Sequence, residues 1–334
     1  MSVEGPYKVP LVNEGLEPLP GGANFIRAKT LWEIGLDVAG DPSIIYGGNR
    51  DLRISVGSGG GAQWKPSLNL GTGSAILAHD VCNGGMDAAF VNPSALLTQA
   101  YFGKGLFTEA LPVRVIMSHP SWDSFAMMVH PRTKLRSVAD IARQKYPLKM
   151  SVREDPTHST FSLIEQIFNL EGFGLKDVLS WGGEIVGTGA PAGPKRMQPI
   201  QEGEVDAIFD EALVTWLSHA LKCGYEFLEF AEGQREALAD LGWRKSTIKA
   251  GDYPGLDRSY DCIDFSGWPL YCDASLPDDV VIDICEAVVA RQNQIPWAAG
   301  DYQGIEKVFQ NTLHTPVDVP FHAGVTKFLA KWQG

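Results

Sequence analysis

Three groups of side chains combine types and spacings that suit small-anion binding or proton transfer. Arg153 is followed by Thr157, His158, Ser159 and Thr160 at the start of a helical stretch. Free N–H groups and the positive end of a helix dipole favour a carboxylate there, and the Arg153 guanidinium reads equally as a grip on both of its oxygens or as half of a surface ion pair. Asn92 and Ser94 stand at a second helix start, where the same argument holds; plain N-capping is the alternative use of such residues. Asp210 and Glu211 are adjacent acids. Beside a bound anion they need a proton, an amine or a cation. They read as ligands for an ammonium group, as an acid/base pair raised by burial, or as acids favoured at a helix N-terminus.

Weaker candidates surround these. Ser58, Gly59 and Gly60 follow a strand-like run, and their backbone N–H groups suit an anion nest, although the run matches neither a P-loop nor a dinucleotide fingerprint. Asn13 heads a Gly/Pro-rich loop and joins the ligand-binding set. Trp64 and Trp122 suit stacking on a planar ligand. His119 lies between two strand candidates. If the chain is an enzyme, His158, His119, Asp210 and Glu211 are its acid/base candidates. No Ser-His-Asp order and no ligand-spaced His/Cys cluster occurs, so neither metal nor cofactor is expected.

The elements that must position these groups are marked by a repeat. Asn83 to Phe90 (NGGMDAAF) matches Glu202 to Phe209 (EGEVDAIF), and both are G-x-x-D-A-x-F after a helical run. A helix stopped by Gly and followed by a short buried strand closes an αβ unit. Two copies predict two similar lobes. Helices are expected over Asn24–Val38, Ser74–Cys82, Ala95–Tyr101, Val138–Gln144, Phe161–Leu170, Lys195–Gln201, Asp210–Cys223, Pro277–Gln294 and Thr326–Trp332. Strands are expected over Tyr7–Val12, Asp51–Val56, Val113–Ser118, Ser124–Val129, Leu148–Val152, Phe227–Phe230 and Tyr260–Cys272, and turns over Thr247–Gly255. Alternating elements predict α/β architecture with mostly parallel sheets flanked by helices.

The chain has 334 residues, 44% hydrophobic and 20% charged, enough for two lobes with proper cores. A net charge of −12 without a basic run argues against nucleic acid and anionic membrane. No apolar run is long enough to insert in a membrane. Met1 to Pro10 lacks a charged segment followed by an apolar one, and five scattered cysteines fit reduced thiols. A cytoplasmic chain is expected, or a periplasmic one if a leader was removed.

The order of motifs resembles the TAXI family of TRAP-transporter solute receptors. The resemblance rests on Asn83 to Ala95, on Leu135-Arg-Ser-Val-Ala-Asp140 with Leu148 to Val152 and Thr157 to Thr160, and on Gly203 to Phe209. Ile248 to Gly255 with Leu276-Pro-Asp-Asp-Val-Val281 and the tail Val319 to Gly324 complete it. It implies a two-lobed type II periplasmic-binding-protein fold, lobe 1 being residues 1–120 plus 262–334 and lobe 2 residues 121–261. It also implies a small carboxylate held in the cleft between them. TRAP membrane subunits would be partners only of an exported chain, and homo-oligomers stay open. Asp210-Glu211 stands where that family more often has small residues. A second expectation follows from fold analogy: a cytoplasmic decarboxylase of an aromatic acid or di-acid on the same clamp.

Overall fold

The computed structural model describes residues 52–57, 67–73, 75–154, 156–188, 191–297 and 300–332. The chain divides into two compact units, Met1–Gly48 and Asn49–Gly334, and every described residue lies in the second. The expected strand at Tyr7–Val12 and helix at Asn24–Val38 therefore lie outside the described residues.

The strands are β1 (Leu52–Gly57), β2 (Ser67–Thr72), β3 (Ala88–Phe90), β4 (Val113–His119), β5 (Ser124–Val129) and β6 (Lys149–Val152). After them come β7 (Glu184–Gly187), β8 (Ala207–Asp210), β9 (Glu226–Phe227), β10 (Arg244–Ile248), β11 (Tyr260–Asp264) and β12 (Trp268–Asp273). They form two sheets. One is five-stranded, ordered β1-β2-β3-β12-β4; the other is seven-stranded, ordered β10-β11-β5-β8-β6-β7, with β9 also on β5. The α/β architecture is as expected, but the sheets are mixed rather than mostly parallel. Parallel pairing is confined to β2–β3, β6–β7 and β6–β8, and the other pairs are antiparallel. The cause is topological. Hairpins reverse β2 and β11, and a strand arriving from the other sheet enters against its neighbours.

The two sheets exchange chain twice. Residues 120–123 carry it from β4 to β5, and residues 265–267 return it from β11 to β12. The second passage corrects the expectation of one strand over Tyr260–Cys272. Apolar residues run through it, but Gly267 adopts φ +76, and a Cβ there would meet Pro316 Cδ at 2.8 Å. A side chain is thus excluded twice, by conformation and by contact. The passages are tied together: Phe265 N–H donates to Asp123 O at 2.9 Å and Gly267 N–H to Ser121 O at 2.9 Å. The Ser266 hydroxyl donates to Asp123 O at 3.0 Å and accepts from Asp123 N–H at 2.9 Å.

Both repeats do the same structural work. Gly84 (φ +76) and Gly203 (φ +66) end their helices in the left-handed region. Asp87 Oδ2 then accepts from Asn69 N–H at 2.7 Å, within β2, and Asp206 Oδ2 accepts from Lys149 N–H at 3.0 Å, where β6 begins. Each following strand pairs in parallel with the strand so held, Ala88 opposite Leu70 and Ala207 opposite Met150. Asp206 also accepts from Arg132 Nε at 3.1 Å and Nη2 at 3.0 Å. Asp206→Ala is therefore expected to cost about 2 kcal/mol, read as a lower urea midpoint with unchanged slope. Asp206→Asn, which keeps an acceptor for Lys149, is expected to lose less.

Helices cover both sheets. The helix Ser159–Asn169 buries Leu163, Ile164, Ile167 and Phe168 on one stripe. One apolar core continues from Ala95, Leu96 and Ala100 of the helix Ser94–Phe102 to Phe125 of β5 and to Leu163 and Trp243. Helices over 175–180 and 234–240, and β2, β7 and β10, add to the elements expected from sequence. No helix among the described residues is long and apolar enough to cross a membrane.

Candidate functional site

β6 and β8 are parallel neighbours, so their carboxyl ends emerge side by side. β6 ends at Val152 and delivers Arg153; β8 ends at Asp210 and delivers Glu211. Arg153 Nε donates to Asp210 Oδ1 at 3.0 Å, and its Nη2 donates to Glu211 Oε1. A second guanidinium comes from below. Arg196, near the start of the helix Pro194–Gln201, donates from Nη1 to Asp210 Oδ2 and from Nη2 to Thr188 Oγ1 at 2.7 Å. Thr188 Oγ1 in turn donates to Val152 O at 2.7 Å. The side chains of Arg196 and Asp210 are fully buried, and those of Arg153 and Glu211 nearly so. Burial of two guanidiniums and two carboxylates is tolerable because the charges balance and each is hydrogen-bonded. Desolvation lowers the Arg196 pKa, and Asp210 opposes that.

His158 closes the group. Its Nδ1 caps the helix Ser159–Asn169 by accepting from Thr160 N–H at 3.2 Å, and lies 2.9 Å from Thr160 Oγ1. An Nδ1 that accepts puts the proton of the neutral ring on Nε2. Nε2 stands 3.8 Å from Glu211 Oε1. Ser159 opens the same helix, and Thr157 is exposed just before it.

Asp123, in the first passage between the sheets, is a member that the sequence did not single out. Its carboxylate accepts from Ala212 N–H (Oδ1 at 3.1 Å, Oδ2 at 2.9 Å) and from Ser124 N–H at 2.7 Å. Ala212 has φ +57 and ψ +43, a left-handed conformation unusual for a residue with a Cβ, so the elbow after Glu211 is held from outside. Trp216 Nε1 holds it further by donating to Glu211 O at 2.7 Å. Desolvation pushes Asp123 up to about 7, Asp210 adds to the rise, and Ser124 N–H, Ala212 N–H and Arg153 oppose it. The only sequence signal for Asp123 was its place between Trp122 and a strand start.

The remaining candidates fall elsewhere. Ser94 Oγ accepts from Arg244 Nη1 at 2.6 Å, Arg244 also pairs with Asp318 at 2.6 Å, and Ser94 N–H donates to Ser266 O at 3.3 Å. The Ser94 N–H is thus engaged within the protein, and its hydroxyl oxygen already accepts from a guanidinium. Asn92, after β3, has its Oδ1 buried without a partner among the described residues. His119 stacks on Trp268 (4.9 Å between centroids) and sits 5.0 Å from Trp297, with Nδ1 3.2 Å from Pro120 O. Burial lowers its pKa, so it is a neutral member of an aromatic group and not of the Arg153 cluster. Trp122 N–H donates to Asp301 Oδ2 at 3.2 Å. Asn13, Ser58, Gly59, Gly60 and Trp64 lie outside the described residues.

No family model matches the chain, and no curated protein matches it. Among solved structures, it is similar to the alkanesulfonate-binding protein SsuA from Xanthomonas axonopodis pv. citri bound to MOPS. The identity is 16%, over 77% of this chain and 70% of that one, with a TM-score of 0.32. It is similar to PhnD1 from Prochlorococcus marinus in complex with methylphosphonate at 11% identity, over 70% of this chain and 82% of that one, TM-score 0.32. It is also similar to Trichodesmium IdiA (FutA) in complex with iron and citrate ligands, at 13% identity over 76% and 78%, TM-score 0.29.

Proposed function

We propose that this chain is a solute-binding protein of the TAXI type, holding a small carboxylate-bearing ligand between two lobes against Arg153 and Glu211. The lobes are residues 1–120 with 262–334 and residues 121–261; the passage at residues 120–123 supports the first boundary, and the one at 265–267 favours moving the second past β11. One observation carries the reading: Arg153, at the carboxyl ends of β6 and β8, uses Nε and Nη2 among the described residues and has Nη1 in hand. Ligands of open α/β sheets gather at that edge. A guanidinium has five N–H donors, so Nη1 can meet a ligand carboxylate. Glu211 takes its contacts on Oε1, which leaves Oε2 as an acceptor. The matching ligand carries a carboxylate next to a hydroxyl or ammonium donor. In the periplasm such a receptor would serve TRAP membrane subunits.

A second reading is supported by the His158–Glu211 pair. A neutral imidazole with its proton on Nε2, facing a carboxylate, is equipped to give and retake a proton, as a decarboxylase requires. His119, in its aromatic group, has no part in that step.

Native mass spectrometry of the purified chain with aliphatic and aromatic acids, each with and without a neighbouring hydroxyl or amine, separates the readings. Retention of unchanged ligand, strongest for acids with a neighbouring donor, is the expected result. Loss of CO2 from bound acid would replace the receptor by the enzyme. Absence of binding across the panel would reject both.

A further inference from the structure

Asp123 belongs to two parts of the molecule at once. Its main chain is bound into the passages between the sheets through Phe265 N–H and the Ser266 hydroxyl. Its carboxylate holds Ala212 N–H, immediately after Glu211. Glu211 N–H in turn donates to Asp210 Oδ1 at 2.9 Å, the oxygen that also takes Arg153 Nε. The link is short and continuous: Ser266, Asp123, Ala212, Glu211, Arg153. The passages are where any change of angle between the sheets must be absorbed, because the backbone crosses from sheet to sheet there. Ala212 is the one non-glycine in the left-handed region on this path, and it keeps that conformation only while something outside the elbow pins it.

We propose that Asp123 is a positioning residue that makes the setting of Glu211 on Arg153 and the conformation of the two passages change together. The proposal rests on the ligand-facing role of Arg153 and Glu211 for its functional meaning, but not for its geometry. A ligand that draws Glu211 from Arg153 would strain Ala212 and, through Asp123, shift the passages. A closing movement of the passages would conversely press Glu211 into place.

The test uses no ligand, so its failure is distinct from failure of the receptor reading. Hydrogen exchange is measured on the peptide covering 210–214 in the full chain. Ser266→Ala removes the hydroxyl that grips Asp123 from the second passage, and that hydroxyl makes no hydrogen bond to residues 210–214. It is expected to speed exchange at Ala212 about fivefold, the fold-change that corresponds to one hydrogen bond. Asp123→Ala is expected to speed it at least as much and to abolish the further effect of Ser266→Ala. Asp123→Asn keeps an acceptor for Ala212 and is expected to restore most of the protection. Unchanged exchange at the elbow in Ser266→Ala, or a Ser266→Ala effect that persists in Asp123→Ala, would overturn the proposal.

Discussion

Arg196→Met is expected to lower the unfolding free energy by about 3–5 kcal/mol, the usual cost of breaking a buried ion pair from one side. Arg196 is fully buried against Asp210, and Met replaces its stem but not its charge. Asp210 would then keep Arg153 and Glu211 N–H, and Thr188 Oγ1 would lose its donor. The neighbouring residue supplies the control. Lys195 pairs with Glu154 at 3.4 Å with both side chains largely exposed, so Lys195→Ala is expected to cost under about 0.5 kcal/mol. Urea denaturation of the two variants measures the difference. Equal costs would mean that the buried cluster is not a cooperative electrostatic unit.

The second large effect is a dependence of stability on pH between about 4 and 7. In the unfolded chain Asp123 titrates at 3.8; in the folded protein burial pushes it up to about 7. The groups that act on it are Asp210 on β8, which raises it, and Arg153 after β6, which lowers it. Tyr253, before β11, is raised by burial first and by the Asp123 charge second. Below pH 4 both states carry the proton and stability is full. As pH rises toward 7 the unfolded state gives up its proton first, so the folded state loses stability; above 7 the loss is complete and flat. A displacement from 3.8 to about 7 sets an upper bound of about 4 kcal/mol, and the solvent-accessible part of the residue brings the expected loss to about 2 kcal/mol. Asp123→Asn removes the titration. Its unfolding free energy between pH 4 and 7 should run flatter than the wild type's by that amount. Parallel curves would show that Asp123 stays ionised in the fold.

The repeated G-x-x-D-A-x-F motif was legible because each role is local. Gly84 and Gly203 end a helix, and Asp87 and Asp206 reach the adjacent parallel strand. The helix at Val138–Gln144, capped by Ser137, was legible for the same reason. The break in Tyr260–Cys272 was not. Apolar content continues through it, and only Pro316, far along the chain, makes Gly267 obligatory there. β10 was hidden as well: Arg244 to Ile248 alternates half-buried and exposed residues before the buried Ile248, yet four of the five are charged or hydroxyl-bearing and the run meets a turn. At the site, Arg153, His158, Asp210 and Glu211 were singled out by type; the first, third and fourth form one hydrogen-bonded group, with His158 Nε2 3.8 Å from Glu211. What sequence could not supply was their mutual saturation. Arg153 looked like a free clamp for a ligand, but Asp210 and Glu211 occupy two of its edges. Arg196, next to the exposed Lys195, was not singled out at all, because only the packing of its helix brings it against Asp210.

The central claim is that a ligand carboxylate meets Arg153 at Nη1, beside the Glu211 carboxylate held on Nη2. Isothermal titration of the best-retained acid against wild type and Arg153→Lys tests it most directly, with melting curves to show that both proteins fold. Lys keeps the charge but lacks the planar fork. The account predicts that affinity falls at least about 100-fold, the weight of a charge-assisted pair of hydrogen bonds. Equal affinity in a folded Arg153→Lys protein would contradict it and move the ligand away from the carboxyl ends of β6 and β8.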